Sequence, residues 1–193
     1  MALSNLHWQT KFFWNGRTAT LEEQAIIPIE DPLEMNLSIQ EAVARLQADP
    51  TYPKLFESAF GSKEVTPDYI GKALGQFERT LISANSKFDK WIRNEVKLTD
   101  EEALGLELFF THPEPSIQLR GGNCADCHLG FLTSGDPIGF TGFHNNGLDP
   151  DIKLKNGLMS VTGNAFDKGK FKPLVYETSP SQLPTCTMDA STL

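Results

Sequence analysis

The segment Cys124-Ala125-Asp126-Cys127-His128 decides the fold of this 193-residue chain. Its C-x-x-C-H spacing is typical of covalent attachment of a c-type haem. The two thiols can each form a thioether with a vinyl group on one edge of the porphyrin, and the adjacent imidazole can bind the iron as its proximal ligand. We therefore predict one haem c, bound through Cys124 and Cys127, with His128 on the iron.

Three other interpretations of the motif are weaker. A structural zinc site needs four ligands, and no second Cys/His pair has the spacing of a zinc finger. A thioredoxin-type redox pair needs a βαβ context, which the sequence lacks. A chance match is disfavoured because the chain has only three cysteines, of which Cys186 alone lies outside the motif.

The second axial ligand of the iron is not fixed by the sequence. A c-type haem needs either such a ligand or an open position. The side chains that remain open as ligands are His7, His112, His144, Met35, Met159 and Met188.

The composition narrows the class of protein. A formal charge of −8 and a pI near 5.0 argue against a nucleic-acid partner, which would need a basic face. No apolar run approaches the roughly 20 residues that span a bilayer. The first residues lack the basic and apolar regions of a signal peptide, so we expect none in this chain.

Helix-start signals recur along the chain, and no segment alternates polar and apolar residues as a half-buried strand does. The fold class is therefore predicted as all-α, and we expect Pro28 to end the first helix. The predicted helices begin after Thr20, Ser38, Thr66 and Thr99, with a further helix at residues 53–60 that is closed by Gly61.

Apolar residues recur at helical spacing in these helices, and we expect the apolar face of the helix after Thr99 to be buried. The face of the helix after Thr66 consists of Ile70, Ala73, Leu74, Phe77 and Leu81. The face of the helix after Thr99 consists of Ala103, Leu106 and Phe110.

A longer family pattern begins upstream of the haem motif. It is carried by Phe12-Phe13-Trp14-Asn15-Gly16-Arg17, Leu21-Glu22-Glu23-Gln24, Pro28 and Pro32-Leu33-Glu34-Met35, and later by Phe88-Asp89 and residues 139–149. These segments resemble the bacterial di-haem cytochrome c peroxidase family, which includes the MauG-like proteins. The resemblance covers about residues 4–172, and Asn15 stands where the family usually has aspartate.

The resemblance implies a cytochrome c-like architecture in two parts. Residues 1–85 are expected to be the helical remainder of an N-terminal peroxidatic haem domain, whose own haem motif would lie upstream of Met1. Residues 86–172 are expected to be a truncated C-terminal electron-transfer domain that carries the haem of the C-x-x-C-H motif. Residues 173–193 are expected to be an out-of-frame, disordered tail.

The resemblance also implies an activity, the reduction of hydrogen peroxide to water with electrons from a small cytochrome c or cupredoxin in the periplasm. Family members carry two c-type haems and a calcium ion between their domains, and they often form homodimers. Glu34 and Gln24 match the acid–base and polar residues over the peroxide-reacting haem, where a carboxylate can move a proton between the peroxide oxygens. Trp14 matches a tryptophan between the two haems, where an aromatic ring suits electron transfer.

The tail departs from the family sequence. From residue 173 its codons can be written so that a two-base shift restores the family segments P-S-L-R-N-I and P-Y-M-H-D-G-R-F, so we expect an out-of-frame, disordered tail. On this hypothesis the family's distal methionine and calcium site are lost here, and Cys186 has no function. Sequencing the gene across the codons for Lys172 and Pro173 tests it.

Three alternative functions remain open. A mono-haem electron carrier would show a low-spin, six-coordinate haem. A MauG-like protein-oxidising enzyme would have tyrosine as the distal ligand, whereas the shifted frame of the tail favours methionine. The third alternative is an inactive gene fragment. Because bacteria attach haem c outside the cytoplasm, the resemblance implies that the parent protein is periplasmic.

Overall fold

The computed structural model describes residues 3–128 and 142–173, and every regular element in them is helical. β-structure in these residues is limited to isolated bridges, such as that between His144 and Phe171. The prediction of an all-α fold is confirmed. The α-helices of the described residues are α1 (Leu21–Glu30), α2 (Ile39–Ala48), α3 (Tyr52–Phe60), α4 (Pro67–Thr80), α5 (Lys87–Ile92), α6 (Asp100–Phe110), α7 (Ala125–His128) and α8 (Met159–Thr162).

Side-chain caps explain where these helices begin. Thr20, Ser38 and Thr66 each accept a hydrogen bond from the backbone N–H three residues further on. Thr99 opens α6 with a reciprocal capping box. α3 ends at Gly61, whose φ of 76° lies in the left-handed region that glycine tolerates. The predicted helix starts are confirmed.

The expected end of α1 at Pro28 is wrong, because the helix continues to Glu30 with Pro28 inside it. A proline in the last turn removes only one main-chain hydrogen bond, the one that its missing N–H would donate to the carbonyl of Gln24. The Met35 N–H donates to the Pro28 carbonyl at 3.1 Å and so holds the following turn against the end of the helix.

The chain divides into two compact units. The first contains residues 1–82 and 126–175, and the second contains residues 83–125 and 176–193. The domain boundaries predicted from the sequence, at 1–85, 86–172 and 173–193, stay predictions. Residues 174–193, with Cys186 and Met188, and residues 139–141 of the family-like loop lie outside the described residues.

Two apolar clusters form the core of the first unit. Residues of α2, α3 and α4 and of the loop before α4 make the larger cluster, which contains Ile39, Ala42, Phe56, Val65 and Ile70. Leu6, Phe12 and Leu21 make the smaller one and are almost fully buried. The loop that follows Phe12 therefore starts from a fixed anchor.

Glycines bring α4 against α1 in the first unit. A Cβ on Gly71 would lie 2.9 Å from the carbonyl oxygen of Glu22, which is closer than carbon and oxygen atoms pack. The predicted apolar face of α4 is only partly buried, since Ile70 is buried but Leu74 and Phe77 are 37% and 60% exposed. α4 packs on α1 through its glycines rather than through the whole of this face.

The second unit contains α5 and α6. No residue of α6 is buried, and Leu104 and Phe110 are 55% and 52% exposed. The expectation that Ala103, Leu106 and Phe110 form a buried face is therefore wrong. Helical spacing shows which apolar residues share a face, but it does not show what covers them.

None of the helices in the described part of the chain is long and apolar enough to cross a bilayer.

Candidate functional site

The two cysteines of the C-x-x-C-H motif are half-buried and form no disulfide within the described residues. Cys124 immediately precedes the single-turn helix α7, which contains Cys127 and ends at His128, and the histidine is also half-buried. The Cys124 Sγ lies 3.6 Å from the carbonyl oxygen of Gly122, within reach of a weak S–H hydrogen bond. One helical turn thus presents the two thiols and the imidazole that covalent haem attachment requires.

The segment that leads into the first cysteine is fixed to the end of α6. The Gly122 N–H donates to the Leu108 carbonyl at 2.7 Å, and the Asn123 N–H donates to the Thr111 carbonyl at 3.1 Å. A Cβ on Gly121 would lie 2.0 Å from the Thr111 carbonyl oxygen, so only glycine permits this approach. The start of the motif is therefore held by main-chain contacts.

The second unit offers an apolar surface rather than an apolar core. Among its described residues only Ser86 and Ala125 are buried. A porphyrin is a large, flat and mostly apolar ligand, and burying apolar side chains against it is favourable. The residues present therefore fit a c-type haem. The exposed apolar side chains of this unit include Phe88, Ile92, Leu104, Leu108, Phe110, Ile117 and Leu119.

A metal site built from side chains alone is not supported in residues 3–128 and 142–173, because no three His, Cys, Asp or Glu side chains there are grouped to hold an ion. The second axial ligand stays open. Of its candidates, Met35 is 68% exposed, His7 and His112 are exposed, and His144 and Met159 are half-buried.

A tight loop presents Trp14 at the surface of the first unit. The Phe12 N–H donates to the Thr18 carbonyl at 2.9 Å and closes the base of the loop. Phe13 has a φ of 63°, in the left-handed region that bulky residues rarely adopt, and the Arg17 guanidinium lies 3.4 Å from the centroid of its ring. The Trp14 side chain is 55% exposed.

Residues from far along the chain hold Trp14 from one side. The Phe171 ring packs against the indole with ring centroids 4.4 Å apart and planes inclined by 34°. The Lys172 N–H donates to the Trp14 carbonyl at 2.9 Å. One face of the indole is thus covered by protein.

Asn15 fixes the same loop through a chain of two hydrogen bonds. Its amide Nδ2 donates to the Ser160 hydroxyl at 3.1 Å, and that hydroxyl donates to the Gly157 carbonyl at 2.7 Å. Because the Ser160 proton is already given to Gly157, the hydroxyl oxygen needs a donor from residue 15. An ionised aspartate has none, so asparagine suits this position.

Lys172 is a buried cation behind the Trp14 loop. The residue is 9% exposed, and its Nζ donates to the Gln9 Oε1 at 2.7 Å and to the Lys11 carbonyl at 2.8 Å. Both acceptors are neutral, and burial lowers the pKa of the ammonium to about 8. Sequence analysis assigned no role to Lys172, because its partners lie 163 and 161 positions earlier in the chain.

The structure does not bring Gln24 and Glu34 into contact. Gln24 lies on α1 and is 6% exposed, and its Oε1 is buried with no hydrogen-bond partner in the described residues. Glu34 lies in the exposed turn after α1, where its N–H donates to the Asp31 carbonyl at 3.0 Å. Gln24 is therefore a buried acceptor, and Glu34 is a carboxylate that water can reach.

An ion pair reinforces the contact between α1 and α4. The Arg79 guanidinium donates to both carboxylate oxygens of Glu22, at 2.6 and 3.0 Å. These hydrogen bonds hold the pKa of Glu22 below its ordinary value and raise that of Arg79. The adjacent Glu78 differs, since burial raises the pKa of its carboxyl.

Comparisons with known proteins point to a single family. A family model described as di-haem cytochrome c peroxidase matches residues 1–97. The chain is 37% identical over 164 residues to the cytochrome c551 peroxidase of Nitrosomonas europaea, covering 83% of this chain and 45% of the relative. It is 38% identical over 172 residues to the methylamine utilization protein MauG of Methylorubrum extorquens, covering 88% and 41%.

Two solved structures also resemble this chain. A MauG-like protein associated with microbial copper homeostasis matches with a TM-score of 0.73 and 30% identity, covering 90% of this chain and 53% of that protein. The diheme peroxidase BthA of Burkholderia thailandensis matches with a TM-score of 0.62 and 20% identity, covering 84% and 44%, which supports the fold alone. The chain spans less than half of the length of the curated relatives described above.

Proposed function

The chain belongs to the di-haem cytochrome c peroxidase family, and on that basis we propose that it carries the electron-entry haem and part of the peroxide site of an enzyme that reduces hydrogen peroxide to water. The observation that carries the proposal is the C-x-x-C-H turn at α7, with two half-buried cysteine side chains and a half-buried imidazole. We also propose a small cytochrome c or cupredoxin as electron donor, a periplasmic location and a homodimer.

Cys124 and Cys127 would hold the haem and His128 would bind its iron. When bound, this group supplies an iron that accepts and passes on single electrons. The exposed apolar side chains of α5 and α6 would pack on the porphyrin and keep water from it. Gly121 and Gly122 would keep the first thiol at a fixed position on the end of α6.

Glu34 and Gln24 would act on the peroxide. Reduction of one hydrogen peroxide to two waters consumes two protons and two electrons, so a group that takes protons from solvent and delivers them is required. The exposed carboxylate of Glu34 suits that task. The buried Oε1 of Gln24 would accept a hydrogen bond from a peroxide O–H.

Trp14 would lie on the electron path between the two haems of the enzyme. Its indole is exposed on one side and packed on Phe171 on the other. A rigid aromatic ring held in one orientation suits a step in which an electron crosses between cofactors, because its geometry does not reorganise during transfer.

The first experiment tests the haem. The chain is fused to an export signal and produced in a bacterium that matures c-type cytochromes, and its mass and haem stain are measured. We expect the mass of one covalent haem, reduced attachment in Cys127→Ala and unchanged attachment in Cys186→Ala. A colourless chain with the mass of the bare polypeptide would overturn the proposal.

The second experiment tests the activity. The chain replaces the matching 164 residues of the Nitrosomonas europaea relative, and peroxide-dependent oxidation of a reduced small cytochrome c is followed. We expect Glu34→Gln to lower kcat by about 10²-fold or more. Glu64→Gln, at an exposed loop position, is the matched control and should change nothing. Equal rates for the two variants would exclude the proposed role of Glu34.

The similarity to MauG and to the MauG-like structure favours a second candidate, an enzyme that uses peroxide to oxidise a protein partner. The same chimera separates the two. A peroxidase consumes reduced cytochrome c in proportion to peroxide, whereas a protein-oxidising enzyme consumes peroxide without a small electron donor.

A further inference from the structure

We propose that Lys172 is a positioning residue for Trp14, because its side chain and its main chain together tie residues 9–14 into one arrangement that fixes the direction of the indole. The functional consequence rests on the proposed electron-transfer role of Trp14. The contacts themselves do not depend on that role.

Lys172 binds the loop at two separate points. Its ammonium donates to Gln9 and to the Lys11 carbonyl, which precede the buried Phe12, and its N–H donates to the carbonyl of Trp14 itself. Two attachments to one residue fix both the position of the loop and its angle. The Phe171 ring adds a third contact on the indole.

The loop needs such external contacts because its own backbone is strained. Phe13, immediately before Trp14, has a φ of 63°. Such a conformation costs a bulky residue free energy and persists only where the surroundings hold it. If the ties from Lys172 are removed, Phe13 can relax towards an ordinary φ, and this rotates the peptide that carries Trp14.

Lys172 has enough N–H donors for the two acceptors of the loop whether its side chain is charged or neutral. A charged ammonium has three N–H groups and a neutral amine has two, and two acceptors are present. Lys11, the charged residue of this segment, contributes its carbonyl oxygen to the contact with Lys172. Both acceptors can therefore keep a hydrogen-bond donor in either protonation state of Lys172, which supports a geometric role.

The test observes Trp14 directly. The haem-loaded chain is labelled with fluorotryptophan, and the fluorine resonances of Trp8, Trp14 and Trp91 are assigned from single Trp→Phe variants, with the haem in one oxidation state. We expect Lys172→Met to shift and broaden the Trp14 resonance while those of Trp8 and Trp91 stay in place. Lys172→Arg keeps the donors and should restore most of the original position.

Lys168→Met is the matched control, because Lys168 is exposed and carries the same chemical change on the same segment. We expect it to leave all three resonances unchanged. A Trp14 resonance that stays in place in a folded Lys172→Met chain would overturn the proposal. If all three resonances collapse in Lys172→Met, Gln9→Leu is measured instead, because it removes one acceptor and keeps Lys172. A Trp14 resonance that moves in this variant supports the proposal, and one that stays in place overturns it.

The functional arm uses the peroxidase chimera. We expect Lys172→Met to lower kcat about 10-fold to 100-fold with an unchanged KM for peroxide, and Lys172→Arg to recover part of the loss. A moved Trp14 resonance with unchanged kcat would leave the positioning role intact and exclude Trp14 from the electron path. A lower kcat with an unmoved resonance would overturn the positioning role.

Discussion

Lys172 carries a charge that folding disfavours. Its Nζ is buried against two neutral oxygens, so the folded chain binds this proton more weakly than the unfolded chain does. The unfolded pKa is 10.5 and the folded pKa is about 8. The free energy of unfolding should therefore be constant below the folded pKa and rise as the pH increases between these two values.

The first prediction concerns this charge. Lys172→Met should abolish the alkaline rise in the free energy of unfolding, which for the unmodified residue amounts to roughly 3 kcal/mol. Urea unfolding of the haem-loaded chain at several pH values between neutral and about pH 10 measures it. Lys168→Met should retain the rise. An unaltered rise in Lys172→Met would show that another group titrates.

The second prediction concerns Glu22, whose pKa is lowered chiefly by its hydrogen bonds to Arg79. A lowered carboxyl pKa contributes stability that is present above the unfolded value of 4.5 and is lost as the pH falls through the lower folded value. Glu22→Gln should cost about 1–2 kcal/mol at neutral pH, and the difference should disappear in acid. Thermal unfolding at both pH values measures this, and a difference that persists in acid would contradict the explanation.

Helix packing in the first unit depends on the absence of side chains. Where Gly71 of α4 meets α1, an added Cβ would touch the Glu22 carbonyl oxygen. A Cβ on Gly105 of α6 would have no atom within 4 Å from the described residues beyond its own stretch of helix. The same substitution should therefore have opposite effects in the two helices.

The third prediction is that Gly71→Ala lowers the free energy of unfolding by about 1–3 kcal/mol, because backbone must move to admit the methyl group. Gly105→Ala should raise it by up to about 1 kcal/mol, since alanine favours helix over glycine. Urea unfolding of both variants tests the pair. Equal effects would mean that the α1–α4 contact is looser than the structure indicates.

The capping residues allowed most helix starts to be predicted from sequence, because a cap and the residue that it caps are three positions apart. The apolar faces were harder. Ile70 is buried but Phe77 is not, since the partner of α4 is decided by Gly71, and a glycine gives no hydrophobic signal. Lys172 was missed for a related reason, because its burial depends on residues near the opposite end of the chain.

For the whole molecule, the haem motif was the part that sequence predicted most directly, since Cys124, Cys127 and His128 lie within five consecutive positions. Their structural support could not be predicted in the same way. The fixed position of Cys124 depends on main-chain contacts of Gly121–Asn123 with α6, and no side-chain pattern encodes them.

The fourth prediction is that haem attachment covers exposed apolar side chains of α6. The double variant Cys124→Ala, Cys127→Ala cannot form the thioethers, so Leu104, Phe110 and their neighbours should stay accessible to solvent. We expect this variant to bind an apolar fluorescent dye more strongly and to unfold at a lower temperature than the loaded chain. Cys186→Ala, which keeps the motif, should behave as the unmodified chain. Equal dye binding by both would contradict the role of these side chains.

Pro28 has an effect on Gln24 that reaches beyond the shape of α1. Without a donor at position 28, the main-chain oxygen of Gln24 lacks its usual helical partner, and the side-chain Oε1 of the same residue is also without one in the described residues. Two electron-rich oxygens on one residue repel anions and attract molecules that bring their own hydrogens. Azide and cyanide ions should therefore bind weakly at this position, and neutral small molecules that carry hydrogen-bond donors should bind more tightly.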